Sequence, residues 1–206
     1  MGELYLVRHG QVEYNKTRDT IEKRKNQDDR NQDEHLTKVG KEQIEGSAEE
    51  LKDKKIDLCI CSPYNRTKET AKIILKYHPG VKIIYDDRIK EMNIEYDMTM
   101  KDRELLDKTE HGYPSELPDY GMGYCKHIYD RVKSILDDIY ANYRDKNILI
   151  VSHSGIIRMC RDICYRDGNR SVFDFFKPNS AIKNGEVVYL KIKKPGGVVN
   201  STKKTW

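Results

Sequence analysis

The chain has 206 residues, of which 35% are charged, and its 38 Lys and Arg against 34 Asp and Glu leave a net charge of only +4. The two signs are interspersed, which argues against a dedicated nucleic-acid binder, since such proteins concentrate their basic charge. No apolar stretch approaches the roughly 20 residues of a membrane span. The N-terminus runs straight into a strand with no signal peptide, and an odd number of cysteines fits a reducing cytoplasm.

Residues 3–7 are a short apolar run that predicts a buried first strand, and Arg8-His9-Gly10-Gln11 follows at its carboxyl end. In open α/β sheets that is where ligands bind. Arg offers a planar fork of donors suited to phosphate, His holds a lone pair near neutral pH, and Gly lets the backbone turn close to a ligand. Asn15 follows, and residues 16–35 are almost wholly polar, without apolar periodicity, so they read as a loop. Thr37 is the predicted N-cap of a helix whose apolar face is Val39, Ile44, Ala48 and Leu51.

Residues 56–61 form the second predicted strand. Ser62-Pro63 then reads as an N-cap and first-turn signature for a helix running to about Tyr77, with Arg66 in its first turn. Cys59-Ile60-Cys61 is expected to turn its two thiols to opposite faces, which disfavours a shared metal site. Cys160 and Cys164 are one helical turn apart, and buried, inert thiols are the expectation for all of these. Residues 81–85 are a third strand, left by Ile89-Lys90-Glu91. Residues 92–123 break the pattern with methionines, tyrosines and two prolines and read as an inserted flap. Tyr124, Ile128, Val132, Ile135, Leu136, Ile139 and Tyr143 recur at three and four, marking a long amphipathic helix. Residues 147–151 are a continuous apolar strand, Ser152-His153-Ser154-Gly155 stands at its end, and a helix follows over 156–165. Residues 178–182 and 186–192 are predicted to close the sheet, and 193–206 form a loosely ordered tail.

Strands alternating with helices predict a three-layer α/β/α fold with a mostly parallel central sheet and a flap over the carboxyl ends of its strands. The chain divides into a single domain over 1–192, with 92–123 as the insertion, and the tail. Arg8, His9, Arg66, Glu91 and His153 all fall at strand ends, and right-handed crossovers would gather them on one rim.

Taken together, Arg8-His9-Gly10-Gln11 with Asn15, Leu36-Thr37-Lys38-Val39-Gly40, Ser62-Pro63-Tyr64-Asn65-Arg66-Thr67, Ile89-Lys90-Glu91, Val151-Ser152-His153-Ser154-Gly155 and Pro178-Asn179-Ser180 resemble the histidine phosphatase superfamily, in its phosphoglycerate-mutase-like branch. These pieces run in the family's order from residue 4 to about 183. The resemblance implies that His9 is the phosphorylated nucleophile, that Arg8, Arg66 and His153 complete the phosphate site with Asn15 and Ser154, and that Glu91 is the proton donor. The stretch after Glu91 lacks the glycines usual in the family, and Glu95 is the alternative donor.

The residues support this chemistry without the name. Phosphoryl transfer needs a nucleophile, charge stabilisation and positioning. Two arginines and a second His disfavour an imidazolium at His9 and keep its lone pair available, while the same arginines stabilise the transferring oxygens. No metal or other cofactor is expected. The expected activity is a phosphomonoesterase acting on a small phosphorylated metabolite, without nucleic-acid or membrane partners. The alternatives are a phosphoglycerate mutase and an inactive member that binds phospho-ligands or a protein partner. In the flap, Tyr96, Tyr113, Tyr120 and the methionines would favour a flat or apolar leaving group, and Lys101 or Arg103 would read a second negative charge.

Overall fold

A computed structural model describes residues 1–13, 34–91, 119–165 and 182–192, with the side chains of 119–127 and 165 outside the description. Among these residues, strands β1 (Glu3–Arg8), β2 (Leu58–Cys61), β3 (Ile83–Tyr85), β4 (Ile148–Ser152) and β5 (Val187–Lys191) form one sheet in the order β3-β2-β4-β1-β5. β1, β2, β3 and β4 pair in parallel, and β5 runs antiparallel along β1. The sheet is therefore mixed but mostly parallel, as predicted.

The period-two alternation of strand side chains divides the core into two layers. Leu4, Leu6, Leu58, Ile60, Ile148 and Ile150 face one way. They pack on Ile128, Val132, Ile135 and Ile139 of α3 (Asp119–Tyr143) and on Ile156, Ile157, Cys160 and Ile163 of α4 (Ser154–Tyr165). Tyr5, Val7, Leu149 and Val151 face the other way. They pack on Ile44, Ala48 and Leu51 of α1 (Lys38–Leu51) and on Ala71 and Ile74 of α2 (Asn65–Leu75). β4 is buried along its whole length because both layers cover it.

Cys59 and Cys61 both belong to the second layer, which corrects the expectation that they point apart. Two residues apart on a strand is one full period, so both thiols share a face. Burial raises the pKa of Cys59 and pushes that of Cys61 up to about 12, so both stay as thiols. No group of three or more His, Cys, Asp and Glu suited to a metal occurs among the described residues. Nor is any helix among them long and apolar enough to cross a membrane.

Local signals set most helix starts. Thr37 caps α1, its Oγ1 accepting from the Gly40 amide at 2.9 Å. Val39, predicted on the apolar face, is instead exposed, because the first turn of α1 presents Gly40 rather than Val39 to the turn after β1. The N-cap of α2 is Tyr64 rather than Ser62, so Ser62-Pro63 belongs to the turn between strand and helix, and α2 ends at Leu75. The long helix begins at Asp119, ahead of the periodic stretch. Ile182 lies in no strand, and the rest of the proposed 178–182 strand, the 92–118 part of the flap and the tail lie outside the described residues.

The turn after β1 requires two glycines. A Cβ on Gly10 would stand 2.4 Å from the Gly40 carbonyl oxygen, and one on Gly40 would stand 2.2 Å from that of Gln11. Each is well inside contact distance, so β1 and the start of α1 approach as closely as they do only because neither residue carries a side chain.

Candidate active site

Three parallel strands end side by side, with Arg8 paired to Ser152 and Cys61 to Val151. The next residue of each chain segment is His9, Ser62 or His153. Sheet register alone therefore brings these three together at the carboxyl rim. All are buried, with His9 4% and His153 0% exposed, and the two imidazoles meet edge to face at 5.2 Å between centroids.

His9 is tightly framed. Its amide donates to the Ser152 carbonyl at 3.1 Å, and Asn184 Nδ2 donates to its carbonyl at 2.9 Å. Its Nδ1 lies 2.8 Å from the Gly10 carbonyl oxygen. A carbonyl only accepts, so Nδ1 carries the proton and the lone pair is on Nε2. The following amide, of Gly10, donates to Thr70 Oγ1 at 3.3 Å, and Thr70 itself donates to the Arg66 carbonyl, which ties the turn after β1 to α2.

Arg66, the second residue of α2, is 3% exposed. Its guanidinium lies over the Tyr64 ring at 4.7 Å, reaches His153 Nδ1 at 3.4 Å and pairs with Glu34 at 3.7 Å. Arg8 is anchored through Nη1, which donates to the Ile182 carbonyl at 2.6 Å. His153 Nε2 lies 2.9 Å from Ser62 Oγ, and the Tyr64 ring stands edge to face against the imidazole.

Burial holds the pKa of His9 well below the ordinary 6.5 and the Arg66 charge lowers it further; the Gly10 hydrogen bond opposes this, and the Arg8 charge adds the smallest lowering. His153 is lowered for the same reasons, burial first, then Arg66, His9, Arg8 and Arg131. The sequence pointed to the arginines; desolvation is the larger cause. Burial also lowers Arg66, while Glu91, Glu34 and Tyr64 act to keep it charged.

Glu91 acts electrostatically on both Arg66 and Arg158 and favours the charged form of each. The backbone leading to it is held from three sides. Ser152 Oγ donates to the Ile89 carbonyl at 2.8 Å, Arg131 Nη2 donates to the Lys90 carbonyl at 2.9 Å, and Arg88 bonds Asp86, Ser134 and Asp138. Ser154 opens α4, and its Oγ accepts from the Ile182 amide at 3.3 Å. The structure thus gathers Arg8, His9, Arg66 and His153, with Glu91 electrostatically coupled to Arg66. Asn15, Glu95, Lys101, Arg103 and the flap tyrosines Tyr96 and Tyr113 lie outside the described residues, as does the side chain of Tyr120.

Sequence reasoning missed Glu34, Ser62, Tyr64, Thr70, Asn184 and Arg131. Ser62 and Tyr64 share the motif that holds Arg66, which was a usable signal. Glu34 was read as part of a polar loop, and nothing near Asn184 in the sequence marks it.

The family model described as histidine phosphatase superfamily (branch 1) matches residues 4–202. Phosphoserine phosphatase 1 of Hydrogenobacter thermophilus is 27% identical over 163 residues, which is 75% of this chain and 72% of that protein. Among solved structures, YhfR of Bacillus stearothermophilus aligns with a TM-score of 0.71 at 18% identity, covering 96% of this chain and 94% of that one. A mycobacterial glucosyl-3-phosphoglycerate phosphatase complexed with VO3 aligns at 0.63 and 17%, covering 93% of each chain.

Proposed function

The chain belongs to the histidine phosphatase superfamily, branch 1, and is a phosphatase; from that premise we propose that it hydrolyses a small phosphorylated metabolite, without a metal, through a phosphohistidine on His9. The observation that carries this reading is the His9 Nδ1 to Gly10 carbonyl hydrogen bond. It leaves the Nε2 lone pair for phosphorus in a ring that burial and Arg66 keep neutral.

In the proposed first step, His9 Nε2 attacks phosphorus and the bond to the ester oxygen breaks. Arg8, Arg66 and His153 hold the three equatorial oxygens as charge spreads over them, with Asn15 and Ser154 as further contacts. Glu91 gives its proton to the leaving alkoxide. In the second step the ionised Glu91 takes a proton from water, the resulting hydroxide attacks phosphohistidine, and the N–P bond breaks to free phosphate and restore neutral His9. A small substrate fits the names of two similar proteins, a phosphoserine phosphatase and a glucosyl-3-phosphoglycerate phosphatase.

The test is p-nitrophenyl phosphate hydrolysis with EDTA present, wild type beside His9→Ala. Activity that survives EDTA and falls by roughly 10³-fold or more in the variant is expected for loss of a nucleophile. Equal activity in both proteins would overturn the reading. Transfer from a phosphoglycerate to a second acceptor, in place of hydrolysis, would make the chain a mutase.

A further inference from the structure

The two terminal nitrogens of Arg66 point at different groups. Nη2 faces His153 Nδ1 at 3.4 Å, and Nη1 faces the Glu34 carboxylate at 3.7 Å. The Arg66 side chain is 4% exposed and that of Glu34 22%, so the carboxylate is the outer member of the pair. The residues after Glu34 fix its place. The Leu36 amide donates to Glu69 Oε2 at 2.9 Å, and His35 Nδ1 bonds the other Glu69 oxygen. Glu69 lies in α2, one turn beyond Arg66, so the helix that supplies Arg66 also anchors the segment that carries Glu34. A bridge between Val12 and Leu36, and the Thr37 amide donating to the Gln11 carbonyl at 2.9 Å, tie the same segment to the turn after β1.

We propose that Glu34 is a specificity-determining residue, whose carboxylate at the outer edge of the Arg66 site disfavours phosphomonoesters that carry a further negative charge on the leaving group. This rests on the phosphatase reading of the site. His9 and His153 close the inner side, at 4% and 0% exposed. In-line attack by His9 sends the leaving oxygen away from that wall, toward the side where Glu34 stands. A phosphate oxygen held by Arg66 Nη1 lies within about 7 Å of the Glu34 carboxylate. A carboxylate two carbons beyond the ester oxygen is within reach of the same field, which the half-buried surroundings screen less than an open surface would. The phosphate itself meets Glu34 in every substrate, so that repulsion cancels when two substrates are compared. The charge on the leaving group does not cancel, and an uncharged alcohol escapes it. Glu34 is also one of the groups that keep the buried Arg66 guanidinium charged, which accounts for an acid beside a phosphate site.

The experiment compares glycerol 3-phosphate with 3-phosphoglycerate, which differ by a hydroxymethyl group against a carboxylate at the far end of the leaving group. kcat/KM is measured for both in wild type, Glu34→Gln and Glu34→Asp, at low and at high salt. Glu34→Gln keeps the shape and removes the charge, so the ratio of phosphoglycerate to glycerol phosphate should rise roughly threefold to tenfold at low salt and by less at high salt. Glu34→Asp keeps the charge and should stay near the wild-type ratio. A Glu34→Gln protein with the wild-type ratio overturns the proposal, even where both rates fall together, because an equal fall marks a hold on Arg66 and no selection between substrates. If wild type turns over neither ester, the ratio is taken from their dissociation constants by calorimetry, with the same two outcomes, and binding of neither ester to either protein also overturns the proposal. The phosphatase reading fails separately, when no phosphomonoester, p-nitrophenyl phosphate included, is hydrolysed.

Discussion

At the scale of single residues, two buried imidazoles make the protein sensitive to acid. In an unfolded chain each would bind a proton below about 6.5, whereas the folded site keeps both neutral to lower pH. Between those values the unfolded chain holds more protons, so stability rises with pH. It is complete above about pH 6.5 and declines as pH falls, by up to about 1.4 kcal/mol per pH unit for each His. Urea midpoints measured from neutral pH downward should show this slope, and His153→Asn should make it shallower; an unchanged slope would mean that His153 is protonated in the folded state. Glu91 separates from the histidines by leaving group. An alkyl phosphate needs a proton at the departing oxygen, and p-nitrophenolate needs it far less. In the phosphorylation step, read as the burst of released alcohol before the shared water-activating step, Glu91→Gln should therefore slow alkyl phosphates by roughly 10²–10⁴-fold while sparing p-nitrophenyl phosphate to a much greater extent. A uniform loss across both would assign the acid role elsewhere, with Glu95 the next residue to test. Arg66→Lys should also be costly, because Lys keeps the charge but loses the fork that spans His153, Glu34 and the Tyr64 ring.

At the scale of elements, the site is as good as the joints between strand ends and helix starts. The Gly10–Gly40 approach is the tightest of these joints. Gly40→Ala would drive a methyl to 2.2 Å from the Gln11 backbone oxygen, and neither backbone can yield without shifting the turn beside His9. A loss of about 2 kcal/mol or more, read as a lower denaturation midpoint, is expected together with reduced activity. Thr37→Ala removes the cap of α1 and the hydroxyl's bond to Gln11 Oε1, and should cost about 1 kcal/mol with little effect on catalysis. Gly10 and the cap were legible as turn and cap signals, but the need for Gly40 and its contact with the Gly10 turn were not, since that contact joins β1 to a helix beyond the polar loop. The start of α2 was misplaced for a related reason. Ser-Pro is a common helix opening, yet the Ser62 hydroxyl is taken by His153, 91 residues away in sequence, so the helix starts at Asn65 with no side-chain cap. Tertiary competition for a hydroxyl overrode a local propensity.

Across the whole molecule, alternation along β1, β2 and β4 sends one set of side chains to α1 and α2 and the other to α3 and α4. That division was readable from periodicity, because continuous apolar runs mark strands buried on both faces and three-four spacing marks the helices that cover them. Residues at the ends of parallel strands were also readable, which is why Arg8, His9 and His153 could be named together. The positions of Glu34, Asn184 and Arg131 depend on the three-dimensional return of distant segments and leave no local trace. Ile139→Ala, deep in the α3 layer, should cost about 2–5 kcal/mol while leaving the order of substrate preference unchanged, as checked by denaturation and a substrate panel.

The most direct test of the central claim is to mix enzyme with a slow phosphomonoester, quench in alkali within the turnover time, and locate any added phosphoryl group by peptide mass spectrometry. The account predicts one phosphoryl group on His9, stable to base, labile to acid and absent in His9→Ala. Turnover without a phosphoryl group on His9, or with one on another residue, would contradict it.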